Sequence, residues 1–274
     1  MNQTVTPPIV MVFAGADPTG GAGVIADVLA LSSLGCHPAV VVTAVTAQDT
    51  SGIKQFNCVE TELVIAQARA VLEDMPVAAF KIGMLGNAEI AAAVASIVED
   101  YPSVPLVVDP VQSSGRGDPL AEDMLDSVLR SLIIPQATLI TPNSLEARAL
   151  APGADTLDAC AQELMSLGSE YVLITGTHES TPEVTHRLYG NLRLLETFSF
   201  ERLAGDFHGS GCTLAAACAA SLAHGLDPVN AVGESLQYTW ETLKYAFRAG
   251  MGQQIPNRLY WARDMDEPEE NQDN

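Results

Sequence analysis

Short apolar runs alternate with amphipathic stretches along most of this chain. Residues 8–14, 39–45, 78–82, 105–108, 137–140 and 171–174 are near-continuous runs of Val, Ile, Leu, Phe, Ala and Met, the pattern of strands buried on both faces. Between them the apolar positions recur at helical spacing. Helices are expected over Val24–Leu34, closed by Gly35, and from Thr61 to just before Pro76. A third is capped by Asn87 and runs to about Asp100, and another follows the loop at 113–119. The pattern changes after residue 180. Val184–Tyr189 and Leu192–Phe200 flank Gly190-Asn191, a turn pair that predicts a β-hairpin. Helices return over Thr213–His224, closed by an αL Gly225, and from Asp227-Pro228, an N-cap followed by proline at the first helical position.

Strands alternating with helices make an α/β fold, with a mostly parallel sheet covered by helices on both faces. Ligands of such sheets bind at the carboxyl ends of the strands. Asp17, Gln48, Met84, Asp109, Asn143, Glu146 and Thr175 all fall at strand exits, with Thr46–Gly52 as a polar loop at one of them. The plainer reading is that exit loops are polar in any protein. With no internal repeat or long linker, residues 1–262 are expected to form one domain. The acidic run after it, 263–274, reads as a disordered tail.

Composition narrows the partners. Of 274 residues 47% are hydrophobic and 17% charged, enough for one sizeable core. The net charge of −21 argues against nucleic acid and against an anionic membrane surface. An anionic substrate would need local positive features: helix N-termini, a few Lys or Arg, or a metal ion. The five cysteines have no CxxC or zinc spacing and read as reduced thiols. With no signal-peptide pattern and no membrane-length apolar run, a soluble cytoplasmic protein is expected.

The candidate chemistry centres on Phe207-His208-Gly209-Ser210-Gly211-Cys212-Thr213. Two glycines spaced by a serine at a helix start can aim several N–H groups at one anion. Cys212 in that field is expected to have a lowered thiol pKa. A tight turn before a core helix, with an inert cysteine, would read the same. Asp109 and Glu146 are candidate ligands for Mg²⁺, the usual companion of ATP phosphates. Separately, Asp109-Pro110 suits a turn and Glu146 suits the first turn of a helix. The glycine-rich stretch Ser113–Pro119 carries one cation, Arg116, and reads equally as a flap over phosphate or as a surface loop. Gly21-Ala22-Gly23-Val24-Ile25-Ala26 matches the dinucleotide fingerprint formally, but Asp17-Pro18-Thr19 separates it from the strand end and no acidic residue closes a second strand. No Walker A sequence occurs. His178, His186 and His224 are read as structural.

These segments resemble, in order, the motifs of the hydroxymethylpyrimidine and phosphomethylpyrimidine kinases of thiamine biosynthesis. The matching stretches are Ala14–Asp27, Thr43–Thr50, Lys81–Gly86, Val107–Val111, Ile140–Asn143 with Glu146, and His208–Thr213, within about residues 9–250. The resemblance implies a ribokinase-like three-layer fold, a homodimer, and ATP with Mg²⁺. It implies phosphorylation of the hydroxymethyl group of 4-amino-5-hydroxymethyl-2-methylpyrimidine, then a second phosphorylation. It implies that Gln48 recognises the pyrimidine, with Gly15, Asp27, Met84 and Val111 in the same pocket. Cys212 would stand where sugar kinases of the fold carry an aspartate base, on a turn of Gly209, Ser210 and Gly211 that holds the transferring group. Asn143, Thr175, Gly176, Thr177, His208 and Arg116 would serve ATP. The chain departs from the family where Thr175-Gly176-Thr177 lacks a frequent lysine, and, mildly, at Ser210, Ala16 and Thr19. Three other readings remain: a pyridoxal or pyridoxine kinase, a non-catalytic pyrimidine-binding relative, and, on the fingerprint alone, a dinucleotide-dependent oxidoreductase.

Overall fold

The computed structural model describes residues 6–111, 124–179 and 181–262. Arg116, the rest of the Ser113–Pro119 stretch and the acidic tail lie outside the described residues. Among the described residues the strands are β1 (Ile9–Ala16), β2 (His37–Asp49), β3 (Gly52–Cys58), β4 (Val77–Ile82), β5 (Leu106–Val108), β6 (Leu139–Ile140), β7 (Tyr171–Ile174), β8 (Glu183–Gly190) and β9 (Arg193–Glu201). They form one sheet in the order β3-β2-β1-β4-β5-β6-β7-β8-β9. Its centre is parallel, while β3 and β8 run antiparallel to their neighbours β2 and β7.

Side-chain alternation along the central strands sorts the core into two halves. Met11 and Phe13 of β1, with Phe80 and Ile82 of β4, face a layer that includes α2 (Thr61–Asp74), α3 (Ala88–Glu99), α5 (Ser144–Leu150) and α6 (Leu157–Ser166). Val10, Val12 and Ala14 of β1, with Ala79 of β4, face α1 (Gly23–Ser33), α7 (Ser210–Ala223) and α8 (Pro228–Lys244). A short helix, α4 (Leu125–Val128), continues as a wound stretch through residue 136. The expected caps are present: Asn87 accepts from the Ile90 amide at 2.8 Å, Asp227 from the Val229 amide at 3.1 Å, and Gly35 and Gly225 take φ of 75° and 87°.

Two expectations are corrected. The stretch Thr46–Gly52 is not a loop: β2 runs on to Asp49, turns through Thr50-Ser51 and pairs with β3. Its sequence, Gly52-Ile53-Lys54-Gln55-Phe56-Asn57-Cys58, is a half-exposed edge strand with too few apolar residues to signal itself. In the second hairpin the turn is Asn191-Leu192, with φ of 52° and 59°, rather than Gly190-Asn191. Gly190 belongs to the strand, paired with Tyr171 and Arg193, and a Cβ there would press on Leu195 and Tyr171.

Strand order reverses direction around β1, whose neighbours are β2 and β4, so a crevice opens beyond the ends of these strands. The β1 exit loop crosses that crevice and is gathered by Asp17. The Asp17 carboxylate accepts from the Thr19 amide at 2.8 Å, the Thr19 hydroxyl at 2.9 Å and the Ala22 amide at 2.8 Å. Its Oδ2 also lies 2.8 Å from His208 Nε2, so loop and α7 turn are clasped together. Burial pushes the Asp17 carboxyl up, but His208, Thr19 and Ala22 outweigh it and hold it below its ordinary value. The resulting stabilisation is complete above the unfolded value, about 3.9, and is lost as pH falls through the lowered native value. Asp17→Asn should therefore cost about 1.5–3 kcal/mol near neutrality, the range for hydrogen bonds to a charged group. It should also flatten the loss of stability below about pH 4. Urea unfolding across a pH series measures both; an unchanged acid limb in the variant would remove Asp17 as its source.

Candidate active site

Four ionisable side chains meet beneath the start of α7. Alternation along β4 turns Lys81 to the α1 and α7 side, and its ammonium lies 3.0 Å from each oxygen of Asp27 on α1. Both side chains are fully buried. Burial pulls the Lys81 ammonium toward neutrality, but the Asp27 and Asp109 carboxylates outweigh it and keep it charged. Asp109, at the exit of β5, is buried, with its amide bonded to the Ile82 carbonyl at 2.8 Å. It lies directly under the turn, because a Cβ on Gly211 would stand 3.7 Å from Asp109 Oδ1.

The turn itself is built for an anion. Gly209 takes φ 83° as the N-cap of α7, and the first intrahelical bond, from the Thr213 amide to the Gly209 carbonyl, is 3.0 Å. The amides of Ser210, Gly211 and Cys212 precede that bond and are left for a ligand. The partly exposed Cys212 looks onto the cluster below. Here the sequence expectation of a lowered thiol pKa is reversed. Burial raises the thiol to about 12, against the lowering effects of Lys81 and the Gly23 amide. Asp109 and Asp27 push the same way as burial. Cys212 is therefore a protonated thiol, and it hydrogen-bonds the Asp109 carboxylate.

Glu146 closes a capping box on α5: its Oε2 accepts from the Asn143 amide at 2.8 Å, while Asn143 Oδ1 accepts from the Leu145 and Glu146 amides at 2.9 and 3.0 Å. Burial first, then Asp109, raise Glu146 to about 8. Asp109 Oδ2 is buried without a hydrogen-bond partner. An orphaned carboxylate oxygen with a second carboxyl nearby suits a Mg²⁺ that completes its coordination from phosphate and water. Among the described residues no three His, Cys, Asp or Glu side chains are grouped to hold a metal on their own.

A cavity of about 420 Å³ opens between Pro18-Thr19 of the β1 exit, Gln48–Ser51 of the first hairpin, and Ala249–Met251. Gln48 Oε1 is buried there with no hydrogen-bond partner. Gly15 and Met84 sit together, the Met84 sulfur 3.1 Å from where a Gly15 Cβ would be. Asp27, fully buried and paired with Lys81, does not line this cavity. Val111 is half-buried just past Asp109, its amide bonded to the Asp109 carbonyl at 2.8 Å. On the far side, Thr175 is bridged to Asn143 and donates its amide to the Pro142 carbonyl at 2.9 Å; a Cβ on Gly176 would overlap the Thr185 carbonyl oxygen. Thr177 is exposed, and its carbonyl accepts from Arg202 at 3.1 Å. His208, expected to serve ATP, has its ring engaged with Asp17.

Two residues given no role from the sequence prove central. Lys81 announced itself only as a charge inside an otherwise apolar strand. Arg258 gave no signal, since it follows an irregular polar segment, yet it is buried and reaches the carbonyls of the glycine loops.

Residues 17–257 match the family model described as phosphomethylpyrimidine kinase. The chain is 43% identical over 256 residues to a protein of Mycobacterium tuberculosis named hydroxymethylpyrimidine/phosphomethylpyrimidine kinase, covering 90% of this chain and 92% of that one. It is 38% identical to the Escherichia coli protein of the same name, over 77% of this chain and 81% of that one. Among solved structures, the phosphomethylpyrimidine kinase of Clostridium difficile aligns with a TM-score of 0.76 at 31% identity, covering 87% of this chain and all of that one. An ADP complex of Bacillus subtilis pyridoxal kinase aligns with a TM-score of 0.86 at 26% identity, covering 93% and 99%. The chain belongs to the phosphomethylpyrimidine kinase family.

Proposed function

We propose that this chain transfers the γ-phosphoryl group of ATP to the hydroxymethyl oxygen of 4-amino-5-hydroxymethyl-2-methylpyrimidine and then phosphorylates the monophosphate to the diphosphate, in thiamine biosynthesis. The observation that carries the reading is the junction of cradle and cavity. Thr19 lines the cavity with Gln48, while Gly21 of the same loop touches Gly209 of the α7 turn. A hydroxymethyl group reaching from a ring held by Gln48 would meet a phosphoryl group held by the amides of Ser210, Gly211 and Cys212.

In each transfer a bond forms between the acceptor oxygen and phosphorus while the bond to the β-phosphate oxygen breaks and ADP leaves; the first transfer releases the hydroxymethyl proton to solvent, and in the second the acceptor is already a phosphate oxyanion. Phosphoryl transfer passes through a loose transition state, so positioning and charge stabilisation dominate over removal of that proton. A thiol raised to about 12 is consistent with Cys212 orienting the acceptor oxygen rather than acting as a standing thiolate. Gln48 offers both a donor and an acceptor to an aminopyrimidine edge. Asn143, Thr175, Gly176 and Thr177 lie on the side where the nucleotide would enter, and Arg116 would act from outside the described residues. Asp109 and Glu146 would hold Mg²⁺, which supplies neutralising charge on the phosphates when bound. A homodimer would form on the free edge at β3, where Val45 on the neighbouring strand is 56% exposed. Among the described residues no helix is long and apolar enough to cross a membrane; none of the five cysteines is in a disulfide, which accords with action in the cytoplasm.

Three measurements test this. Mass spectrometry of products from Mg·ATP with the hydroxymethylpyrimidine should give monophosphate and then diphosphate; product from pyridoxal alone would move the chain to the vitamin B6 kinases, and binding without product would leave a pyrimidine-binding relative. Gln48→Ala should raise the pyrimidine KM about tenfold to a hundredfold, the equivalent of ~1–3 kcal/mol of lost hydrogen bonding, with the ATP KM unmoved. Cys212→Ala should lower kcat by no more than about a hundredfold, the low end of what a general base supplies. A loss near ten-thousandfold in steady-state turnover would instead reinstate a thiolate base.

A further inference from the structure

The two glycine segments of the site are held by one side chain that comes from neither. Arg258 follows α8, is 2% exposed, and runs under the junction. Its Nε donates to the Thr213 hydroxyl at 3.0 Å, Nη1 to the Gly20 carbonyl at 3.3 Å, and Nη2 to the Gly21 and Gly209 carbonyls at 2.6 and 3.5 Å. The Thr213 hydroxyl in turn donates to the Gly209 carbonyl at 2.8 Å. Every acceptor belongs either to the β1 exit loop or to the first turn of α7. The planar fork of a guanidinium can serve such a fan of acceptors in fixed directions, and an ammonium cannot.

A peptide plane whose carbonyl is fixed on one side has its N–H fixed on the other. Gly209 is the N-cap whose carbonyl Arg258 and Thr213 both hold. The next peptide N–H, that of Ser210, shares that plane and is the first of the cradle. Gly209 is also wedged against Gly21, where any Cβ would overlap the Gly21 carbonyl oxygen, so displacement of one segment displaces the other.

We propose that Arg258 is a positioning residue for phosphoryl transfer: by pinning the Gly20, Gly21 and Gly209 carbonyls from below, it aims the α7 amides at the transferring group and sets their register against the pyrimidine cavity. This rests on the reading of those amides as the phosphoryl cradle. Arg258 does not touch substrate, so its loss should act on the transition state more than on binding.

The test is steady-state kinetics of the full chain with Arg258→Lys, which keeps the charge but not the fork, beside Arg258→Ala. Both should lose about tenfold to a hundredfold in kcat, the scale of misplacement by about an ångström, while the pyrimidine KM stays within about threefold of the parent. Added guanidinium chloride at millimolar concentration should recover part of the Arg258→Ala loss, and sodium chloride at equal ionic strength should not. Parent-like kcat in folded Arg258→Lys overturns the proposal, as does a kcat loss matched by an equal loss of pyrimidine affinity. Should the arginine variants not fold, Thr213→Val decides, because it removes the Nε acceptor and the second bond to Gly209; unchanged kcat there overturns the proposal. A readout independent of turnover separates this from the functional reading. Inorganic phosphate binding to the nucleotide-free protein, measured by isothermal titration calorimetry, should weaken about tenfold in Arg258→Lys. A parent that makes no phosphorylated pyrimidine but keeps this difference would sink the kinase reading and leave the positioning role; equal phosphate affinity in both proteins would sink the positioning role whatever the parent's activity.

Discussion

Two backbone segments approach each other here more closely than any side chain allows. A Cβ on Gly209 would overlap the Gly21 carbonyl oxygen, and one on Gly23 would overlap that of Gly15. Everything the site does depends on that contact, because it fixes the α7 turn against the loop that borders the cavity. Such proximity leaves buried carbonyls without amide partners, and a buried polar group left unpaired costs about 1–3 kcal/mol. Arg258 answers that cost with charged donors to the carbonyls, while the Asp17 carboxylate accepts from the amides of the same loop. Glycine supplies the approach and charge supplies the satisfaction; neither would hold the junction alone.

The same logic explains how a chain of net charge −21 can receive phosphates. The positive features it needs are concentrated, not spread over the surface. Lys81 lies under the cluster on one side and Arg258 under the glycine junction on the other, both buried and both shielded from salt. Removing one partner of a buried ion pair such as Asp27–Lys81 is strongly destabilising, about 3–5 kcal/mol. The floor of the site is thus tied to the stability of the sheet beneath it.

Periodicity made most of the architecture legible. The central strands, the N-caps at Asn87 and Asp227 and the αL glycines at 35 and 225 follow from local chemistry, and they stand where that chemistry puts them. The edge strand β3 did not, since pairing with β2, rather than its own apolar pattern, makes it a strand. In the site, the residues at strand exits could be found because sheet topology carries them there. Lys81 needed the alternation that turns it toward α1 and α7, and Arg258 needed a tertiary return from beyond α8. Among the described residues the Arg258 guanidinium bonds none nearer in sequence than Thr213, 45 residues away, and no local rule spans that separation.

Cys212 shows which of two physical effects prevails when both act on one atom. A helix N-terminus stabilises a nearby anion by about 0.3–2 kcal/mol, an argument for thiolate that holds at an exposed turn. Burial can move a titration by 3–5 units, roughly 4–7 kcal/mol, and here Asp109 and Asp27 add to it. Lys81 and the Gly23 amide offset part of that sum and do not reverse it. The dipole that fails to ionise the thiol remains available to an anion that arrives already charged. In the proposed reading a phosphoryl group would bring its own negative oxygens to the amides of Ser210 and Gly211, and the largest electrostatic gain would be realised there. A turn that would hold charge in transit, with a neutral thiol beside it, asks more of geometry than of basicity.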